Sequence, residues 1–99
     1  MSQHMEALAL ANSIRLSRAE LKRGLRAADS ASARKRVAQL IHKPPPELER
    51  MATLDLLASC RQVGRHTALR CLRAARVGER VCVGSLTPRQ RRALAEALR

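Results

Sequence analysis

No phenylalanine, tyrosine or tryptophan occurs in this sequence of 99 residues. Aromatic side chains bury large areas, so a core without them depends on Leu, Val, Ile, Ala, Met and Cys. A chain of this length also hides a smaller share of its unfolded surface than a larger protein does. The sequence therefore predicts one small core, made by helices that pack closely through alanine.

The chain is strongly basic in both halves. Its 20 Lys and Arg residues against 8 Asp and Glu residues give a formal net charge of +12. Residues 1–50 contribute +5 (10 basic minus 5 acidic), and residues 51–99 contribute +7 (10 minus 3). Such an excess opposes compaction and favours a polyanionic partner. A GC-rich genome would explain why 17 of the 20 cations are Arg, but it leaves the net charge unexplained.

The sequence has no apolar run near the roughly 20 residues that a membrane-spanning helix needs, and no secretory signal pattern. The three cysteines, Cys60, Cys71 and Cys82, have no C-x-x-C spacing, so we expect free thiols buried as small apolar groups. These features predict a cytoplasmic protein that does not bind membranes.

Residues 5–28 have the pattern of one long amphipathic helix, without proline and with apolar residues at helical spacing. The predicted core positions of this helix are Leu10, Ile14, Leu21, Leu25 and Ala28. A row of cations three or four residues apart is expected on the opposite side, formed by Arg15, Arg18, Lys22 and Arg26. This row is a candidate nucleic-acid surface, and an ordinary solvated face is an equally good interpretation.

Two shorter helical segments follow the long helix. Residues 33–41 predict a helix that ends at the three prolines 44–46, and Pro46 can open a short helix through Met51. In the first of these helices, the predicted core residues are Val37, Leu40 and Ile41, and the predicted solvent-facing residues are Arg34, Lys35 and Arg36.

The C-terminal half predicts two more helices before a short extended segment. Thr53 is the expected N-cap of the first, and the second runs from about Arg65 to Arg76. Leu69 and Leu72 are its predicted core residues. Residues 81–83 are apolar and lie between two glycines, so we expect them to be extended.

The last helix has a strong start signal. Thr87 as N-cap, Pro88 at the first helical position and Gln90 at the third predict a capping box. The inward-facing residues are expected to be Leu94, Ala97 and Leu98. Three cations, Arg89, Arg91 and Arg92, crowd the first turn, where the helix dipole disfavours positive charge and an anion would relieve the repulsion.

Between the two middle helices the chain reads Val63-Gly64, followed by Arg65, His66 and Thr67. A helix that begins here presents unpaired backbone N–H groups and a partial positive charge, which suits a phosphate. Gly64 would leave room for that phosphate to approach. The alternative is an ordinary glycine that ends the preceding helix.

Three stretches, "MATLDLLASC", "QVGRHTALRCL" and "SLTPRQRRALAEAL", resemble the actinobacterial, or mycobacterial-type, integration host factor in order and spacing. The N-terminal "LSRAELKRGL" resembles it more loosely. The segment from Val63 to Thr67, which we call the joint, is also similar to the helix-two-turns-helix of a small-subunit ribosomal protein and to helix-hairpin-helix domains. The resemblance implies an all-α fold, in which a long N-terminal helix (residues 1–29) packs on a compact helix-two-turns-helix domain (residues 30–99).

The resemblance also implies phosphate contacts by the joint and by the last helix. The corresponding residues of this chain are Val63, Gly64, Arg65, His66 and Thr67 at the joint, and Arg89 and Arg91 in the last helix. Family members carry several arginines before the last helix, whereas this chain has Arg80 alone, followed by Val81, Cys82 and Val83. The departure favours backbone contact over contact in the minor groove, as in a divergent, phage-borne member.

Catalytic and metal patterns are weak. The acidic residues are scattered among cations, and the spacing of Cys60, His66 and Cys71 fits no structural zinc site. We therefore expect a non-enzyme without metal or cofactor, which is a monomer when free and binds double-stranded DNA in the nucleoid. Structured RNA or the ribosome, and an acidic host protein, are the alternative partners. Without aromatic side chains, stacking on single-stranded bases is left to His and Arg.

Overall fold

In a computed structural model, residues 3–60 and 62–98 are described, with side chains from residue 5 onward. The described residues form five α-helices and two short 3-10 turns, and the predicted all-α class is confirmed. The helices are α1 (Gln3–Ala27), α2 (Ser30–His42), α3 (Thr53–Ala58), α4 (Arg65–Ala74) and α5 (Pro88–Ala97), and the 3-10 turns are Pro46–Leu48 and Val83–Ser85. The predicted boundary at residues 29 and 30 falls where α1 passes into α2.

The long N-terminal helix packs on the rest of the chain through its C-terminal half only. Leu25 is completely buried, and Leu21 and Ala28 are partly buried beside it. Leu10, predicted to be in the core, is 63% exposed, because α1 makes its main contacts with α2 and the Pro46–Leu48 turn near its C-terminal half. Every residue from 5 to 13 is exposed, and we call this segment the overhang.

Helix α2 supplies one stripe of the core and packs mainly on α5. Ala33, Val37 and Ile41, spaced four residues apart, are completely buried, while Leu40 is half-buried. The prediction that the whole cluster of residues 34–36 faces solvent is wrong at Arg34. That side chain is half-buried, and its Nε is covered without a hydrogen-bond acceptor.

Helix α3 begins at Thr53, but Thr53 is not its N-cap as predicted. The N-cap is Ala52, and no side chain caps the helix. The fully buried Thr53 instead donates twice to the carbonyl of Val81, from Oγ1 at 2.9 Å and from the backbone N–H at 3.0 Å. A buried hydroxyl needs a partner, and here the nearest one lies across the fold.

The segment around residues 81–84 lies against the chain that leads into α3. Cys82 and Ala52 form an isolated antiparallel bridge, so the predicted extended character holds there, although Val83 already begins a 3-10 turn. The backbone N–H of Gly84 donates to the carbonyl of Glu49 at 2.9 Å. A Cβ on Gly84 would lie 2.9 Å from the Cβ of Glu49, so this close approach requires glycine.

Helix α4 ends two residues before the predicted Arg76, in a Schellman motif. Val77 N–H donates to the carbonyl of Leu72 at 2.8 Å, and Arg76 N–H donates to that of Arg73 at 3.1 Å. Arg76 occupies the left-handed position of this motif with φ 56°, where glycine is usual. As predicted, Leu72 is buried, whereas Leu69 is only half-buried.

Helix α5 starts as the sequence predicts. The Thr87 hydroxyl accepts from Gln90 N–H at 3.1 Å, and the Gln90 side chain accepts from Thr87 N–H at 3.0 Å, which completes the capping box. Leu94 and Leu98 are buried as expected. Ala97 was expected to face inward and is exposed.

Candidate nucleic-acid interface

The joint between α3 and α4 is built by buried residues on both sides of a tight turn. Cys60 and Val63 are buried, and Gln62 between them has φ 66°. Gln62 is thus a left-handed residue of this turn. Helix α3 ends at Ala58, six residues before Gly64, so Gly64 is not the glycine that ends the preceding helix. Val63 has its side chain in the core, so only its backbone can reach a ligand.

Gly64 is the N-cap of α4, with φ −78° and ψ 174°. Any L-residue adopts these angles. A Cβ added at Gly64 would meet nothing within 4 Å. Neither the backbone conformation nor the packing requires glycine here, in contrast to Gly84.

The first turn of α4 is open. No side chain caps it, and it contains no acidic residue. The predicted contact residues Arg65 and His66 are exposed at the first two helical positions, and Thr67 is half-buried at the third. Backbone N–H groups at such a terminus carry partial positive charge and lack intrahelical acceptors. The structure therefore brings the joint residues together at one exposed helix end.

Basic side chains continue along the outward face of α4, where the sequence predicted contact by His66 but not by Arg70 or Arg73. His66, Arg70 and Arg73 are exposed at positions i, i+4 and i+7, on the side away from the buried Ala68, Cys71 and Leu72. We call His66, Arg70 and Arg73 the α4 stripe. The helical spacing was visible in the sequence, but the exposed side became clear only once the buried face was known.

Two further cations, Arg76 and Arg89, lie at the other end of α4. Arg76 and Arg89 line a shallow cavity of about 450 Å³ together with Thr87 and Gln90. Gln90 Nε2 donates to the carbonyl of Arg76 at 3.1 Å, which ties the end of α4 to the start of α5. Arg89, predicted to bind nucleic acid, is thus placed beside Arg76, which was not.

The side chain of Arg91 contacts carbonyl groups of the fold. Its Nη1 donates to the carbonyl of Ile41 at 2.6 Å and its Nη2 to the carbonyl of Gly84 at 3.4 Å. Ile41 belongs to the last turn of α2, where carbonyl groups lack intrahelical donors and a cation is favourable. The side chain of Arg91 therefore holds α2, α5 and the Val83–Ser85 turn together, and a phosphate would have to compete with those bonds.

In the predicted row on α1, one cation is likewise engaged by the fold. Arg18 Nε donates to the carbonyl of Glu47 at 3.1 Å and so attaches α1 to the Pro46–Leu48 turn. Arg15 is exposed and Lys22 is half-buried. The three side chains line a shallow groove of about 510 Å³ along α1, separate in the chain from the α4 stripe.

The remaining predicted positions add no reactive group. Arg80 is exposed in the turn before Cys82. Cys60 and Cys71 are buried free thiols, as predicted, and Cys82 is half-buried. Burial raises the pKa of the Cys60 thiol to about 11, against a lowering influence of Arg34. Within residues 3–60 and 62–98, no three His, Cys, Asp or Glu residues come together as metal ligands.

No protein-family model, curated protein or solved structure matches this chain. Among the helices described above, none is both long and apolar enough to cross a membrane.

Proposed function

We propose that this chain is a sequence-tolerant duplex-DNA-binding protein, a divergent relative of the actinobacterial integration host factors that acts in the nucleoid. The observation that carries the proposal is the open start of α4. It presents uncapped backbone donors beside Arg65, behind a glycine that the fold itself does not require. A close approach by a phosphate oxygen supplies a reason for that glycine.

The arrangement along α4 favours a duplex over a single isolated anion. The helix has 10 residues and is therefore about 15 Å long. Arginines occupy both ends and the face between them: Arg65 at the start, Arg70 and Arg73 of the α4 stripe, and Arg76 and Arg89 at the end. Phosphate rows that border the major groove of B-DNA are separated by a comparable distance, about 12 Å of groove width.

The proposed contacts are all with phosphates, so binding should tolerate changes of sequence. Arginine serves this purpose well because its planar fork pairs bidentately with phosphate oxygens. The sequence does not favour contact with base edges in a groove. Residues 77–82, which lead to the Val83–Ser85 turn, contain one arginine, Arg80. Backbone contacts alone position a protein on DNA without reading its sequence.

The test is a fluorescence-anisotropy titration of two unrelated duplexes across 50 to 300 mM salt. Neutralising roughly five phosphates predicts a slope of about −4 to −5 in log affinity against log salt, with the same affinity for both duplexes. A matched pair of variants, Arg65→Ala and Arg36→Ala, removes one exposed arginine from the joint or from α2. We expect the first to weaken binding several-fold and the second to have the smaller effect.

A flat salt response would contradict the proposal. Competition with a structured RNA hairpin in the same assay addresses the alternative partner, because RNA helices are bound through shape and phosphates too. If the hairpin displaces the duplex at well below equimolar concentration, the chain is an RNA-binding protein that uses the same surface.

A further inference from the structure

The overhang of α1 is an exposed helix whose apolar residues lack a partner in the described chain. Met5, Leu8 and Leu10 are 59%, 53% and 63% exposed. Short helices without a packed face are only marginally stable in water. The overhang also has no Lys or Arg in a chain of net charge +12, and its one charged residue is Glu6. These properties suit contact with a protein surface and not with DNA.

A groove between α2 and α5 has complementary properties. It measures about 470 Å³ and is lined by Ala31, Arg34, Lys35 and Ala38 of α2, by Ala95 of α5 and by Leu98, the C-cap of α5. The α2 residues stand at i, i+3, i+4 and i+7, so they form one continuous helix face. Small side chains let another helix approach, while Arg34 has a covered Nε without an acceptor. An incoming carboxylate would pair with the guanidinium of Arg34 and with the ammonium group of the exposed Lys35, which both line the groove.

We propose that the overhang of a second copy of this chain occupies the groove, so that two copies exchange overhangs and form a symmetric dimer. On the overhang, Glu6, Ala9, Leu10 and Ser13 share one helix face at the same i, i+3, i+4, i+7 spacing. Glu6 supplies the carboxylate for Arg34 and Lys35, and Leu10 supplies an apolar group for the alanines.

The occupant is a second copy because the overhang cannot reach its own groove. Helix α1 is continuous over 25 residues, and Leu8 lies 17 residues, about 25 Å along the axis, from the buried Leu25. The groove residue Ala31 lies near the opposite end of α1, four residues after Ala27, so the overhang of the same chain is too far away to reach it. A two-fold exchange makes every contact twice, which offsets the small size of each one.

The experiment measures mass by analytical ultracentrifugation from 5 to 500 µM without DNA, in 300 mM salt to screen the net charge. Wild type should rise from 11.0 kDa toward twice that mass. Glu6→Lys and Arg34→Glu should each raise the dissociation constant at least tenfold, and the double variant should restore at least half of that loss. Glu96→Lys alters the net charge by the same amount as Glu6→Lys, at an exposed position on α5, and serves as the control for net charge.

Leu10→Ser and Leu16→Ser provide a second comparison. Both leucines are 63% exposed, but Leu16 lies on a different side of the helix, so only Leu10→Ser should weaken association. If Arg34→Glu impairs folding by circular dichroism, the exposed Lys35→Glu replaces it in the charge exchange with Glu6→Lys. Equal loss in both leucine variants without charge rescue would mean that overhangs pair with each other. Wild type that stays at 11.0 kDa would uphold the monomer predicted from the sequence; either result overturns the exchange.

Discussion

The starts of α4 and α5 have similar backbone geometry but different caps. Both helices have 10 residues and an extended N-cap, and both carry arginine at or next to the first position. At α5, Thr87 and Gln90 satisfy each other's backbone donors. At α4, Gly64 provides no side chain, and none of the described residues accepts from the first backbone N–H groups of the helix. A helix terminus binds an anion only if the protein has not already used its donors, so the comparison singles out α4.

Gly64→Asp is expected to have the largest effect. Aspartate is a good N-cap and its charge suits the helix dipole, so the free energy of unfolding should rise by up to about 1 kcal/mol. Its carboxylate would occupy the proposed phosphate position, so DNA affinity should fall by about 10- to 100-fold. Thermal melts and anisotropy measure the two quantities.

Gly64→Asn is the matched control, since it offers a similar N-cap without the negative charge. We expect it to retain most of the affinity that aspartate loses. If the aspartate variant is folded and binds as tightly as wild type, the start of α4 is only a helix start.

Arg91→Ala tests whether an arginine in the first turns of α5 serves the fold. Removing the donor to the Ile41 carbonyl should lower the free energy of unfolding by about 2 kcal/mol, as for other hydrogen bonds from charged groups. Arg92→Ala, at an exposed neighbouring position, should change it by less than about 0.5 kcal/mol. Urea denaturation of both variants gives the comparison, and equal stabilities would deny Arg91 its structural role.

Thr87→Ala opens the capped start of α5. Loss of the cap should lower the free energy of unfolding by about 1 kcal/mol, while DNA affinity stays within about twofold of wild type. The same urea and anisotropy measurements apply. A clear gain in affinity would show that the freed donors of α5 bind phosphate, and the contrast between the two helix starts would disappear.

Arg76→Gly should have the smallest effect, raising the stability of the fold while lowering DNA affinity. Glycine relieves the left-handed backbone, so the free energy of unfolding should rise by about 0.5 kcal/mol, while binding weakens a few-fold through the lost cation. Gln62→Gly, at the other left-handed non-glycine position among the described residues, should raise the free energy of unfolding similarly and leave DNA affinity nearly unchanged. Equal affinities in Arg76→Gly and Gln62→Gly would remove Arg76 from the proposed interface.

Local patterns in the sequence predicted most of the helices and the one feature that is complete within four residues, the capping box at Thr87. Helical periodicity and capping depend on neighbours along the chain, which the sequence displays directly. The same logic located the joint at Gly64 and the first-turn residues Arg65 and His66. It failed at Leu10, because periodicity indicates which side of a helix is apolar but not whether anything packs against it.

The sequence by itself determined an all-α chain with a small aliphatic core, a basic surface and a glycine at the start of α4. Only the tertiary structure decided which polar groups remain available for a ligand. Thr53 donates a hydrogen bond to the carbonyl of Val81, 28 residues away, and Arg91 donates one to the carbonyl of Ile41, 50 residues away. The Nε of Arg34, in contrast, is covered without an acceptor. The physical reason is that a side chain's partner is set by distances in the folded chain, and residues this far apart in sequence meet only after the helices have packed.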